Sequence, residues 1–349
     1  MQIRSITDNE KDIYDEAVTH PLQSYDWGEF KKTTGQNIER FGLFENDKMI
    51  NAFQASFHKI PFIGSTVGYI PKGCMPDSEQ LDALKEFAYR QKAIFIKLEP
   101  NVAHPADTSS VINNIRNSFE QERNFLLQNG AVHGKNLFTK YNFHLDLTPG
   151  IDELFDNLRS KTRYNVRLAV KKGVQVVEDT SESGMETYIR LMQETTSRQR
   201  FYSHAPQYYR TMWETIGCKA NSMLHIFHAI YNGQVLAAWI IFLFNSKLYY
   251  PYGASSDAFR EVMASNLIMW EVIKYGHENK CSCFDMWGSL GPNPDAKDPW
   301  YGFHRFKEGY NPVLMENIGT YDIVYNKFLY KSFNAADKLR WFILRTFHR

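Results

Sequence analysis

The sequence predicts two similar domains of the mixed α/β (α+β) class. Its 349 residues exceed one average domain of roughly 150 residues. Helix-period and strand-period stretches alternate through both halves, and their order in the second half echoes the first without visible sequence repetition. With 43% hydrophobic and 23% charged residues, the composition is that of ordinary globular chains able to bury sizeable cores.

In the first half, Ser24 is placed to cap a helix running to Lys32. Strands over Glu39–Glu45 and Met49–Phe57 flank Asn46-Asp47-Lys48, a hairpin signature. Gly68 to Gly73 reads as a strand entering a turn, Gln80–Gln91 has helical spacing, and Ala93–Leu98 is a buried-strand run closed by Pro100. Pro149-Gly150 marks a boundary. Beyond it, helices are expected over Ile151–Lys172, Gly184–Ser197, Pro206–Gly217 and Ala264–Asn279, with strands over Leu224–Tyr231, Val235–Asn245, Lys247–Tyr252 and Cys283–Trp287.

Forty basic against 39 acidic residues give a net charge of +1, which excludes a histone-like protein but leaves room for a local basic patch. Cys74, Cys218, Cys281 and Cys283 are too few and too unevenly spaced for a disulfide scaffold. The first residues lack a hydrophobic leader core, and the longest apolar run, Val235–Phe244, is about half a membrane span. A reducing, cytoplasmic setting is expected. The 25 Phe, 20 Tyr and 7 Trp fit two aromatic-rich cores more simply than a sugar or peptide cleft.

The sharpest charge feature is Arg159, Arg163, Arg167 and Lys171, which recur every four residues and would form one helical stripe. Leu154, Phe155, Leu158, Val166 and Ala169 fall on the opposite face. Like charges at this spacing repel, which fits a phosphate-bearing partner; a solvated face with distant carboxylates accounts for the stripe equally well. Cys281-Ser282-Cys283 with His277 lacks zinc-knuckle spacing and reads as buried thiols. There is no nucleophile elbow, P-loop or dinucleotide fingerprint. None of the 20 glycines has Arg or Gln three places before it, so the pyrophosphate loop of a common acetyl-CoA transferase is missing. A strand ending in Asp285 and Gly288 would put a carboxylate at a sheet edge. Lys307, between aromatic residues, reads either as a desolvated ammonium for an oxyanion or as an exposed turn lysine.

Six segments then stand in register: Ser24-x-x-Trp27-Gly28; Gly68-Tyr69-x-Pro71-Lys72-Gly73; Asp146-Leu147-Thr148; Lys161-Thr162-Arg163-Tyr164-Asn165-x-Arg167; Tyr250-x-Tyr252-Gly253-Ala254-Ser255-Ser256; and Phe306-Lys307. From about residue 20 to 325 this order resembles the Fem family of peptidoglycan bridge-forming aminoacyl transferases. The resemblance implies two tandem GNAT-like acyltransferase domains, the first from 1–145 plus about 317–349 and the second from 146–316. Some members carry a long helical-hairpin arm; the span from Thr180 to Tyr209 leaves no room for one, so the resemblance is to armless members.

The resemblance also implies the partners and the site. The donor is aminoacyl-tRNA, facing Arg159, Arg163, Arg167 and Lys171. The acceptor is a peptidoglycan precursor, either a nucleotide-linked muropeptide or lipid II. Lys307 with Phe306 would sit at the tRNA acceptor end, Lys31 and Arg198 would hold the precursor's diphosphate, and Tyr202 and Tyr252 would line the muropeptide cleft. Arg200 departs from the glycine often found there. No cofactor and no metal are implied, a monomer is expected, and peripheral contact with the inner membrane face is left open as a further partner. An acyl-CoA-dependent N-acyltransferase and a non-catalytic precursor or tRNA binder are the alternatives. The tail from Asp337 to Arg349, with Leu339, Phe342 and Ile343 on one face, is expected to dock on the first domain rather than lie on a membrane.

Overall fold

A computed structural model describes residues 2–106, 112–199 and 203–347. Along the chain run β1 (Gln2–Ser5), α1 (Lys11–Ala17), α2 (Tyr25–Thr33), β2 (Asn37–Glu45), β3 (Lys48–Lys59), β4 (Thr66–Pro71), α3 (Ser78–Arg90) and β5 (Ala93–Glu99). There follow β6 (Ala103–Pro105), α4 (Ile112–Gln128), β7 (Ala131–His133), β8 (Tyr141–Asp146), α5 (Ile151–Asp156), α6 (Ser160–Lys172), β9 (Gln175–Glu178), α7 (Glu182–Gln199) and α8 (Pro206–Met212). The rest is β10 (Leu224–Tyr231), β11 (Gln234–Phe244), β12 (Lys247–Ser255), α9 (Ala264–Glu278), β13 (Cys283–Ser289), α10 (Tyr301–Glu308), β14 (Val313–Asn317), β15 (Tyr321–Val324) and α11 (Lys327–Phe347).

The chain divides into two compact units: Met1–Val102, Ser109–Leu137 and Ile318–Arg349 form one, Ala103–Thr108 and Phe138–Asn317 the other. The structure thus starts the main part of the second unit at Phe138 rather than at the expected 146, because β8 pairs with β13 and β14 of the second sheet. Among the described residues the first sheet has the order β1-β2-β3-β4-β5-β15-β7 and the second β6-β14-β8-β13-β12-β11-β10-β9. Both share one plan. Four antiparallel strands lead to a fifth that pairs in parallel through an intervening helix: β4 and β5 around α3, β12 and β13 around α9.

Turn chemistry sets the hairpins. Asn46-Asp47, Asn232-Gly233 and Asn245-Ser246 all have positive φ, as type I′ hairpin turns require. In the first unit Phe41, Phe53, Leu84, Phe87 and Ile96 share a core between sheet and α3. In the second, α6 and α9 bury Val166, Ala169, Leu267, Trp270 and Ile273 against Ala237, Trp239, Ile241 and Phe284, while α7 covers the alternate residues of β11 and β12.

The expected single helix over Ile151–Lys172 is two. α5 stops at Asp156, and Arg159 is extended (φ −58°, ψ 144°) as the N-cap of α6. The interruption lets Leu158 enter the core while the Arg159 N–H donates to Gly309 O at 2.9 Å. Gly173, at φ +85°, ends α6 in the left-handed conformation that glycine adopts without strain. α11 docks through its first half: Tyr330 and Phe333 meet Phe95 at ring-centroid distances of 5.0 and 5.5 Å, and Asp337 pairs with Lys135. Leu339, expected to pack, is 60% exposed; the side chains of Phe342 and Ile343, and residues 348 and 349 altogether, lie outside the described residues. Among the described residues no helix is long and apolar enough to cross a membrane.

Candidate active site

The second sheet opens where its two parallel strands part. β12 and β13 pair only from Lys247–Cys283 to Tyr249–Asp285, and β13 then bulges against β8 between Asp285 and Gly288. Trp287, at φ +65°, is part of that bulge, and Asp285 Oδ1 secures it by accepting from the Trp287 N–H at 2.7 Å.

α10 brings Phe306 and Lys307 to this opening. The Lys307 side chain is fully buried; its Nζ donates to Gly288 O at 2.7 Å and lies 3.7 Å from the Phe303 ring centroid and 5.8 Å from that of Tyr250. Burial pushes the Lys307 pKa well below the ordinary lysine range, and the charge of Asp285 opposes that shift. Asp285 is itself held by Asn142 Nδ2 at 3.0 Å and lies 3.3 Å from His144 Nε2. Phe306 packs edge-on to Trp239 and Tyr310. Beneath α10, His304 Nδ1 lies 2.8 Å from Ser289 Oγ, and Glu308 accepts from Arg159 at 3.1 Å. The turn-lysine reading of Lys307 is thereby excluded.

A second group sits past a bulge in β12. Between the Ile240–Tyr252 and Phe242–Tyr249 pairs β12 carries one extra residue, at a place where Pro251 has no N–H to leave unpaired. Residues two apart normally share a face, yet Tyr250 turns to Trp239 and Lys307 while Tyr252 turns to Tyr208 and Tyr209 of α8. His204 stacks on Tyr208 with ring centroids 3.7 Å apart. Arg198, near the end of α7, donates to Ser255 O at 3.1 Å and lies 3.4 Å from Asp257 Oδ2. Tyr202 and Arg200 lie outside the described residues.

Lys31 belongs to the first unit. It rises from α2, which Ser24 caps by accepting from the Trp27 N–H, with Nζ 5.4 Å from the Trp27 ring centroid and 5.3 Å from that of Phe30. Burial lowers its pKa, and the nearby His58 is lowered by burial and by the Lys31 charge. Gly28 is dictated by space: a Cβ there would collide with Gln54 and with the Arg40 guanidinium, which pairs with Glu29 at 2.8 Å.

The expected arginine stripe is largely occupied by the protein itself. Arg159 lies off the helix and pairs with Glu308. Arg163 donates to the carbonyls of Asp156 and Leu158, closing the end of α5. The Arg167 guanidinium stands 5.1 Å from the Phe155 ring centroid. Lys161, Lys171 and Lys172 are exposed. Cys281 and Cys283 are thiols whose pKa values burial pushes up to about 11 and about 12, and among the described residues no cluster of His, Cys, Asp and Glu could hold a metal ion. Sequence reasoning placed Asp285 at a strand end but missed its partners Asn142 and His144, and it did not single out Phe303 from the aromatic run before Lys307.

The chain was then compared with known proteins. It is 24% identical to a lipid II:glycine glycyltransferase of Staphylococcus aureus (strain USA300), covering 95% of this chain and 94% of the relative. That alignment runs over 409 residues, more than this chain contains, so the relative carries segments without a counterpart here. The fold is similar to the crystal structure of FemX, with a TM-score of 0.81, 22% identity and coverage of 95% of this chain and 99% of that one. A tandem GNAT protein from the clavulanic acid biosynthesis pathway shares the architecture at a TM-score of 0.53, 11% identity and coverage of 92% and 97%. In fold, the two units are thus similar to the tandem domains of that GNAT protein. The FemAB family model matches residues 6–229 and 222–338, nearly the whole chain, and the protein belongs to the FemAB family.

Proposed function

We propose that this protein is an aminoacyl transferase that moves an amino acid from aminoacyl-tRNA to the side-chain amine of a peptidoglycan precursor's stem peptide. The observation that carries the reading is the end-to-end match to a lipid II:glycine glycyltransferase; the lysine buried at the parting of β12 and β13 supplies a site for the chemistry.

The donor is an activated ester, so a neutral acceptor amine attacks its carbonyl directly. A C–N bond forms, the ester C–O bond breaks, and the proton lost by the amine ends on the departing ribose hydroxyl. Orientation and stabilisation of the oxyanion suffice. In this reading Lys307 supplies the cation: Gly288 O fixes one of its N–H groups, and rotation of the half-exposed Phe303 ring opens Nζ to the substrate. Phe306 packs behind it. Lys31 and Arg198 each contact phosphate of the precursor, Tyr252 lines the muropeptide cleft, and Arg167 and Lys171, with Lys161 and Lys172, meet tRNA phosphates. Arg159 and Arg163 support the helix that presents them.

The test supplies pooled radiolabelled aminoacyl-tRNAs with a nucleotide-linked or lipid-linked precursor. Label is expected to pass to one acceptor, about 100- to 1000-fold more slowly with Lys307→Ala. Label that stays on tRNA with both acceptors overturns the reading.

A further inference from the structure

The tip of the β3–β4 hairpin has a property the transfer chemistry does not use. Pro61, Phe62, Ile63 and Gly64 are exposed: Phe62 is 105% exposed and Ile63 48%. Phe62 is held at φ +70°, a left-handed conformation that a bulky L-residue rarely adopts. An exposed aromatic in an unfavourable backbone conformation contributes nothing to the core. The tip is nonetheless anchored at its base, where Ile60 N–H donates to Ser65 O at 2.8 Å.

The end of α3 stands beside that base. Thr66 N–H donates to Lys92 O at 3.0 Å and Thr66 Oγ1 to Gln91 O at 2.7 Å. This brings Tyr89, which is 89% exposed, together with the exposed Arg90 and Lys92 to the same end of the strands, where Lys59 is also exposed. Neither Lys59–Ser65 nor Tyr89–Lys92 contains an acid. The nearby Glu39 carboxylate is engaged by Gln91 at 2.9 Å, and Glu86 lies one turn back on α3. The patch is thus a protruding apolar tip set in a collar of cations.

We propose that this tip inserts into the interfacial region of a bilayer containing anionic lipid, with Lys59, Arg90 and Lys92 on the headgroups. Apolar burial and cationic attraction add at such a surface, and aromatic side chains suit its depth. A protein partner fits less well: three apolar side chains fall far short of the roughly 20–30 residues a side that stable protein interfaces bury. The inference also deepens the proposed function and in this respect rests on it. His58, whose pKa the Lys31 charge helps to lower, lies one residue before the end of β3, and the turn that carries Phe62 follows directly. A diphosphate held by Lys31 would then sit near the headgroups, as in a lipid-linked acceptor.

Full-length protein is sedimented with vesicles of phosphatidylcholine containing phosphatidylglycerol, and with phosphatidylcholine alone. Binding is expected to the first and to be much weaker for the second. Phe62→Ser with Ile63→Ser should weaken it at least about tenfold, and Lys59→Gln with Lys92→Gln about 25-fold, roughly fivefold per cation, with unchanged thermal midpoints. Phe62→Trp gives a check that needs no loss of contact: brominated lipid should quench its added emission. Wild-type protein left in the supernatant, Ser variants that sediment like wild type, or a tip-dependent dimer without vesicle binding would each overturn the proposal. Vesicle binding needs neither tRNA nor acceptor, so its failure and a failure of the transfer assay are separately visible.

Discussion

Replacing Lys307 by methionine separates the role of its charge in catalysis from its effect on the fold. The side chain is fully buried and its Nζ donates to Gly288 O at 2.7 Å. Exchanging a buried charge for an apolar group of similar volume gains on the order of 1–4 kcal/mol, while leaving a buried carbonyl without its donor costs about 1–3 kcal/mol. Where the lysine is charged the two nearly cancel. Their pH dependence does not. The unfolded chain keeps the lysine proton up to the ordinary range, whereas the folded chain, with its pKa lowered by burial, releases it earlier. Between those limits the unfolded state binds more protons, so wild-type stability rises with pH. Methionine has no such dependence. The thermal midpoint of Lys307→Met relative to wild type should therefore be highest in acid and fall steadily toward the usual lysine pKa, each kcal/mol being about 2–4 °C in a unit of this size. Calorimetric scans across that range measure it, and transfer rates should fall about 100- to 1000-fold at all pH values where wild type works. A difference in midpoint that stays flat with pH refutes the buried, shifted lysine; a variant retaining more than roughly a third of the activity, far outside that range, removes Lys307 from the chemistry.

Four further outcomes are expected. Phe303→Ala admits water to Nζ, raises the Lys307 pKa and so moves the alkaline fall of the transfer rate to higher pH; an unmoved profile shows that Phe303 does not cover the group. Arg163→Ala frees two carbonyls at the end of α5 and should lower stability by about 1–2 kcal/mol, read as a lower midpoint, whereas Lys171→Glu should leave the midpoint alone and reduce tRNA affinity and its salt slope. Lys31→Ala and Arg198→Ala should each weaken binding of the precursor, not of tRNA, by calorimetry; unchanged affinities assign both to structure. Tyr330→Ala should destabilise the first unit by about 3 kcal/mol, since it removes the contact with Phe95 and the hydrogen bond to Asp322 Oδ2.

Local signals carried the elements that local chemistry determines. The Asn46-Asp47 hairpin, the Ser24 cap and the strand over Leu224–Tyr231 are where turn and period rules put them. The break at Asn157–Arg159 was not legible, because it depends on Gly309, far along the chain, accepting from Arg159. For the same reason the sequence could not decide between a phosphate-facing stripe and a face with distant carboxylates: Arg159 meets a partner 149 residues away, and Arg163 serves a helix end that the period alone does not reveal. The placement of β14 and β15 in different sheets is likewise set by long-range pairing. At the site, the chemistry of Lys307 was suggested by its aromatic neighbours, but its depth follows from the parting of β12 and β13. The opposed directions of Tyr250 and Tyr252 come from a single extra residue in β12, which strict alternation cannot anticipate.

The most direct measurement is mass analysis of the acceptor after incubation with purified protein, donor and each precursor in turn. With aminoacyl-tRNA as donor, the precursor should gain the mass of one aminoacyl residue, fragmentation should place it on the stem-peptide side-chain amine, and acyl-CoA should not replace the tRNA. A precursor whose mass is unchanged by any aminoacyl-tRNA, or one modified from acyl-CoA instead, would contradict the account.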